Sequence, residues 1–124
     1  MEKPKYYFLD SYALLEIVKE NQNYKKFQET TNFTGIMNLL EIHYIISKDF
    51  GTEKADEIIW KFKKISVDVN FKDILDASRF RIKNLKKKLS YIDCLGYSVA
   101  INRNLIFLTG DKEFKEMENV EFVK

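Results

Sequence analysis

The side chains of this sequence with most to offer chemically are four acids, Asp10, Glu41, Asp93 and Asp111. Carboxylates hold hard cations and move protons, so their placement decides whether they do either. Asp10 closes the apolar run Tyr6-Tyr7-Phe8-Leu9, and Asp111 follows Leu105-Ile106-Phe107-Leu108 by way of Thr109-Gly110. Each has a hydroxyl neighbour, Ser11 in one case and Thr109 in the other. Glu41 lies inside the stretch 36–46, where every other position that could point inward is apolar. A buried, unpaired carboxylate costs several kcal/mol, so Glu41 must pair with a base such as Lys48, take an exposed helix edge, or face a polar cleft. Asp93 completes Ser90-Tyr91-Ile92-Asp93, a capping box. Asp10 and Asp111 also suit helix caps, and capping does not exclude ion binding.

The elements that must position these acids follow from pattern. The runs ending at Leu9 and Leu108 are short and continuously apolar, as in central strands covered on both faces. Ser66–Val69 and Val120–Val123 alternate and suit edge strands, and Asn32–Thr34 allows a further short one. Helical patterns cover Ser11 to about Asn21, Tyr24–Glu29, Ile36–Phe50, Thr52–Lys64, Asn70 to about Leu85 and Ser90 to about Arg103. The Ile36–Phe50 helix is apolar nearly all round and is expected to be buried, with Gly51 in a left-handed cap and Thr52 as the next N-cap. Gly96 and Ala100, four apart, let the last helix pack closely on a sheet and hold Asp93 near its edge. This succession predicts a three-layer α/β/α domain over residues 1–124, with a mostly parallel sheet of four to five strands and right-handed crossovers. In such sheets the functional crevice lies beyond the strands' carboxyl ends, where the strand order reverses, which is where Asp10 and Asp111 fall.

Composition narrows the function classes. The 124 residues carry 21 Lys and Arg against 19 Asp and Glu, a net charge of +2 that gives no global argument for nucleic acid or membrane. With one cysteine, Cys94, and one histidine, His43, neither a disulfide framework nor a Cys/His zinc site can be assembled, and a reducing, cytoplasmic setting is expected. The apolar residues after Met-Glu-Lys-Pro-Lys are too few for a signal peptide. The longest charge-free stretch, Thr30–Leu40, has eleven residues where a membrane span needs around 20, so a soluble protein is expected. One local charge feature stands out: Arg79, Arg81, Lys83, Lys86, Lys87 and Lys88 precede Asp93, either as a shoulder for an RNA backbone or as an ordinary solvated face. His43 reads as a core or interface residue, Cys94 as core, and Trp60, Tyr44 and Tyr97 as packing or interface aromatics.

Phe8-Leu9-Asp10-Ser11, Asn38-Leu39-Leu40-Glu41, Ser90-Tyr91-Ile92-Asp93 and Leu108-Thr109-Gly110-Asp111-Lys112-Glu113-Phe114 together resemble the four motifs of PIN-domain nucleases, especially the small VapC-type toxins. The acids are separated by 31, 52 and 18 residues, and the resemblance spans almost the whole chain. Glu113 stands where the family often has aspartate. The resemblance implies a metal-dependent endoribonuclease, with Asp10, Asp93 and Asp111 holding Mg²⁺ or Mn²⁺ and Glu41 coordinating or steering the attacking water. Ser11, Asn38, Thr109 and Glu113 would support them. It further implies an RNA substrate, a homodimer and a small antitoxin partner that blocks the pocket with arginine. A haloacid dehalogenase-type phosphatase needs a second aspartate where this chain has Tyr12, and the paired acids and lysine of a receiver domain are not in place. Two alternatives stay open: a non-catalytic domain of this fold that binds RNA or protein, and an RNA-processing nuclease without an antitoxin.

Overall fold

A computed structural model of the protein describes residues 3–124; Met1 and Glu2, at the head of the segment read above for a signal peptide, lie outside them. The chain forms strand β1 (Tyr6–Leu9), helix α1 (Ser11–Val18), a 3₁₀ segment (Gln22–Glu29), β2 (Thr31–Gly35), α2 (Ile36–Phe50), α3 (Thr52–Lys63), β3 (Ser66–Val67), α4 (Phe71–Lys83), α5 (Tyr91–Asn102), β4 (Ile106–Thr109), a 3₁₀ turn (Lys112–Phe114) and β5 (Val120–Phe122). The five strands make one sheet in the order β3-β2-β1-β4-β5, and every pairing is parallel. The strand order reverses between β1 and β4, so the residues after these two strands flank the crevice such sheets use for function.

Alternation along the two central strands builds a core on each face. Tyr7, Leu9 and Leu108 face one side and pack with Ala13, Leu14, Tyr24, Phe27, Leu39, Ile42, Ile46 and Ala55 from α1, the 3₁₀ segment, α2 and α3. Phe8 and Phe107 face the other and stack with centroids 5.8 Å apart, among Ala77, Leu89, Cys94, Tyr97, Val99, Ala100 and Phe114. A Cβ added at Gly96 would come within 3.1 Å of the Phe8 ring, which confirms that this helix position lets α5 lie against the sheet. Cys94 is buried core as expected, and burial pushes its thiol up to about 11, which disfavours the thiolate.

Three expectations are corrected. The helix over Ile36–Phe50 is buried on one face only: Leu39, Ile42 and Ile46 enter the core, while Ile36, Leu40, Tyr44 and Phe50 are exposed. The sheet, α1 and α3 cover one side of it, and the rest of its apolar surface stays outside. Thr52 is the first residue of α3 rather than its N-cap; Gly51 occupies the cap, at a φ of 91°, and offers no side-chain bond. The edge strands are shorter than their sequence patterns, β3 by two residues and β5 by one. A second exposed apolar stripe runs along α4 through Phe71, Ile74, Leu75 and Ile82. Trp60 is exposed on α3, Tyr97 is buried, and His43 bonds Asp56 of α3 at 2.7 Å.

Beyond these cores, a buried polar network fixes the start of α4. Asp73 is fully buried; it accepts two bonds from the Arg103 guanidinium at 3.1 Å and one from Asn102 at 2.9 Å, and it closes a capping box on Asn70. Arg103 also bonds the carbonyl of Asp68, so one side chain ties the end of α5 to the loop after β3.

Candidate active site

Asp10 is 3% exposed and caps α1, accepting from the Ala13 amide at 2.8 Å. The capping alternative is therefore correct for Asp10, and it leaves carboxylate capacity unused. Ser11 begins α1 and accepts a 3.0 Å bond from Asn38 of α2, which is itself buried. Gly35 makes room for this pair, since a Cβ there would stand 2.7 Å from the Asn38 side-chain oxygen. Glu41 follows on α2, half-buried and, among the described residues, without an ion pair; Lys48 lies over the Tyr44 ring instead. Asp93 forms its capping box with Ser90, accepting the Ser90 amide at 2.8 Å. Asp111 accepts the Glu113 amide at 3.0 Å, and its own amide donates to the Thr109 hydroxyl.

The electrostatics link these side chains. Burial pushes Asp10 up to about 7, against the Thr109 hydroxyl and the Ala13 amide, and Asp93 and Asp111 push it in the same direction as burial. Burial also raises Asp93, against its bonds with Ser90, and Asp111 and Glu41 add to the rise. Asp93 and Asp111 thus lie close enough to act on Asp10, and Asp111 and Glu41 close enough to act on Asp93. Among the described residues none of them is in an ion pair, whereas Asp73 and Asp76 both are.

The supporting set divides. Thr109 bonds both Asp10 and the Asp111 amide, and Ser11, next to Asp10 in the chain, bonds Asn38, but the Glu113 carboxylate turns to the Lys88 amide at 3.2 Å. The basic segment divides too. Arg79 is paired with Asp76 on α4, Arg81 lies 4.4 Å over the Tyr91 ring, and Lys87 bonds the carbonyl of Glu113, close to Asp111; Lys83, Lys86 and Lys88 are exposed. Thr34, at the end of β2, is buried and donates to the carbonyl of Leu9 just before Asp10. Sequence reasoning missed it, because a threonine inside an edge-like strand carries no signal of burial.

Gly110 fixes how the chain leaves β4 toward Asp111. A Cβ there would strike the Tyr12 ring and stand 2.5 Å from the carbonyl of Val123. Gly110→Ala should destabilise the fold by about 1–3 kcal/mol and displace Asp111, read by urea unfolding.

The sequence profile of the PIN domain family matches residues 7–120. This chain belongs to the PIN-domain family. Solved structures agree with the PIN-domain fold. A DNA-bound VapBC from Salmonella typhimurium superposes with a TM-score of 0.75 at 15% identity, covering 98% of each chain. VapBC2 from Rickettsia felis, bound to a promoter DNA fragment, gives 0.73 at 20% identity over 95% of this chain and 97% of that one. VapC20 from Mycobacterium tuberculosis, described as a sarcin-ricin loop cleaving toxin, gives 0.74 at 15% identity over 94% and 95%. No curated protein sequence matches the chain.

A PIN-domain chain with this donor set suits a hard divalent ion. The candidate ligands are oxygen only, and among the described residues the buried Asp10 carboxyl has no cationic partner. Among the described residues no three acidic, histidine or cysteine side chains close around a single point, so water would complete the shell of any ion held here.

Proposed function

We propose that this PIN-domain chain is a metal-dependent ribonuclease, hydrolysing RNA phosphodiester bonds as the toxin of a type II toxin–antitoxin pair. One observation carries the reading: beyond the carboxyl ends of a parallel sheet, Asp93 and Asp111 act on the buried Asp10, Asp111 and Glu41 act on Asp93, and no side-chain cation among the described residues pairs with any of them. A module that only bound RNA would gain nothing from acids that repel phosphate.

Asp10, Asp93 and Asp111 are assigned to holding Mg²⁺ or Mn²⁺, directly or through water, with Glu41 beside them. Such an ion supplies charge that makes water more acidic and stabilises negative charge on phosphate. Glu41, half-exposed, orients a water or accepts its proton. The Ser11–Asn38 bond keeps α1 and α2 in register, and the Thr109 hydroxyl steadies the Asp10 anion. Lys83, Lys86 and Lys88 draw the RNA backbone toward the acids, with Arg79, Arg81 and Lys87 extending that surface.

The VapBC complexes that share this fold support a small antitoxin partner. An antitoxin arginine fits the pocket because its fork bonds carboxylates bidentately and replaces the missing counter-charge. A homodimer would cover part of the apolar surface on α2, α3 and α4, and solution mass tests it. No described helix is long and apolar enough to cross a membrane.

The deciding experiment is cleavage of model RNA by the purified protein. Cleavage should need Mg²⁺ or Mn²⁺, stop on chelation, and disappear in Asp111→Asn while the thermal midpoint stays near that of the wild type. Binding without cleavage would leave a non-catalytic domain, and cleavage that survives chelation would remove the metal. Growth arrest relieved by a co-expressed antitoxin tests the toxin role separately.

A further inference from the structure

Glu113 makes three bonds to two parts of the acid-bearing framework. Its amide donates to the Asp111 carboxylate at 3.0 Å, its own carboxylate accepts the Lys88 amide at 3.2 Å, and its carbonyl accepts the Lys87 ammonium at 3.2 Å. Lys88 lies two residues before Ser90, whose amide and hydroxyl form the capping box that fixes Asp93. Between α4 and α5, the segment 84–90 crosses from one helix to the next with only Leu89 buried in the core. Packing alone therefore holds this connection weakly, and the bonds to Glu113 supply a second anchor.

We propose that Glu113 is a positioning residue: it clips the segment entering α5 to the segment leaving β4 and so sets the spacing between Asp93 and Asp111. The role differs from that of a ligand, because one carboxylate oxygen already accepts a backbone donor, the Lys88 amide. What the site needs at position 113 is an acceptor of the right length. It does not need a negative charge. This inference rests on the metal-site reading for its functional consequence and on the hydrogen bonds for its structural one.

Two variants separate the roles. Glu113→Gln keeps an oxygen acceptor at the same reach and removes the charge, whereas Glu113→Ala removes both. Amide hydrogen exchange of the metal-free protein is measured first. In Glu113→Ala the amides of Lys88, Ser90 and Asp93 should exchange about tenfold faster, with the amides of β1 and β4 unchanged; in Glu113→Gln all should stay near wild type. Mn²⁺ binding, followed by calorimetry, should weaken about tenfold in Glu113→Ala and be restored in Glu113→Gln, as for groups that orient ligands without touching the ion. If Glu113→Gln loses Mn²⁺ affinity as fully as Glu113→Ala, the charge itself is needed and Glu113 is a ligand, which overturns the proposal. Unchanged exchange in Glu113→Ala overturns it as well. A wild type that binds no Mn²⁺ counts against the metal reading, while the exchange data still decide whether the clip exists.

Discussion

Asp10→Asn should unfold at a higher temperature than the wild type in metal-free buffer at pH 8, by on the order of 10 °C, and should cleave no RNA. The reason is the raised carboxyl. Moving from 3.8 in the unfolded chain to about 7 in the fold corresponds to about 4 kcal/mol of destabilisation once Asp10 is ionised in both states. The folded state binds the proton more tightly, so the contribution of Asp10 to stability is greatest below pH 4, falls as pH rises toward 7, and then levels off. Asparagine has no such titration and can still accept from Ala13, so its advantage should vanish near pH 4 and be full at pH 8. Mg²⁺ should stabilise the wild type more than Asp10→Asn, through binding to the folded state. Thermal melts across pH, with and without Mg²⁺, read all three effects. Equal midpoints at pH 8, or an equal response to Mg²⁺, would mean that Asp10 is neither strained nor part of an ion site.

The opposite result is expected at the other buried aspartate. Asp73→Ala should destabilise the protein by about 3–5 kcal/mol, because it leaves the Arg103 guanidinium only partly exposed and without its partner. The Asn102 amide and the Asn70 backbone lose an acceptor at the same time. Burial alone would raise the Asp73 carboxyl, but the bonds from Arg103, Asn102 and Asn70 outweigh it and hold it below its ordinary value. A lowered carboxyl contributes stability above its unfolded value of 3.8 and loses it as pH falls below that. Urea unfolding at pH 7 and at pH 3 should therefore find a large gap between Asp73→Ala and wild type at the first and a smaller one at the second. A loss under 1 kcal/mol at neutral pH would show that water replaces the missing carboxylate.

These two residues also mark what pattern alone can reveal. Asp73 was legible as a helix start, since Asn70 and Asp73 have capping-box spacing, but its partner Arg103 lies 30 residues on and nothing local ties the two. The central strands were legible because both faces of β1 and β4 are covered, which erases polar alternation. The helix at Ile36–Phe50 misled because an apolar residue on a helix has no mark that says which partner covers it. At the candidate site, the acids and the hydroxyls beside them could be picked out from their position after apolar runs. The turn of Glu113 toward Lys88 could not, since it depends on where a loop 25 residues earlier comes to rest.

The pairing of β1 has a consequence for when this molecule becomes competent. Phe8 pairs with Phe33, 25 residues later, but its other neighbour is Phe107, 99 residues later. A chain emerging from the ribosome can build the β1–β2 half early, but β4 can slot in beside β1 only once residues 106–109 have been made. Until then Thr109 and Asp111 are absent from the neighbourhood of Asp10, so the nascent polypeptide holds its acids apart. Synthesis therefore separates making the chain from gathering its acids, and a product truncated before β4 should be unstable.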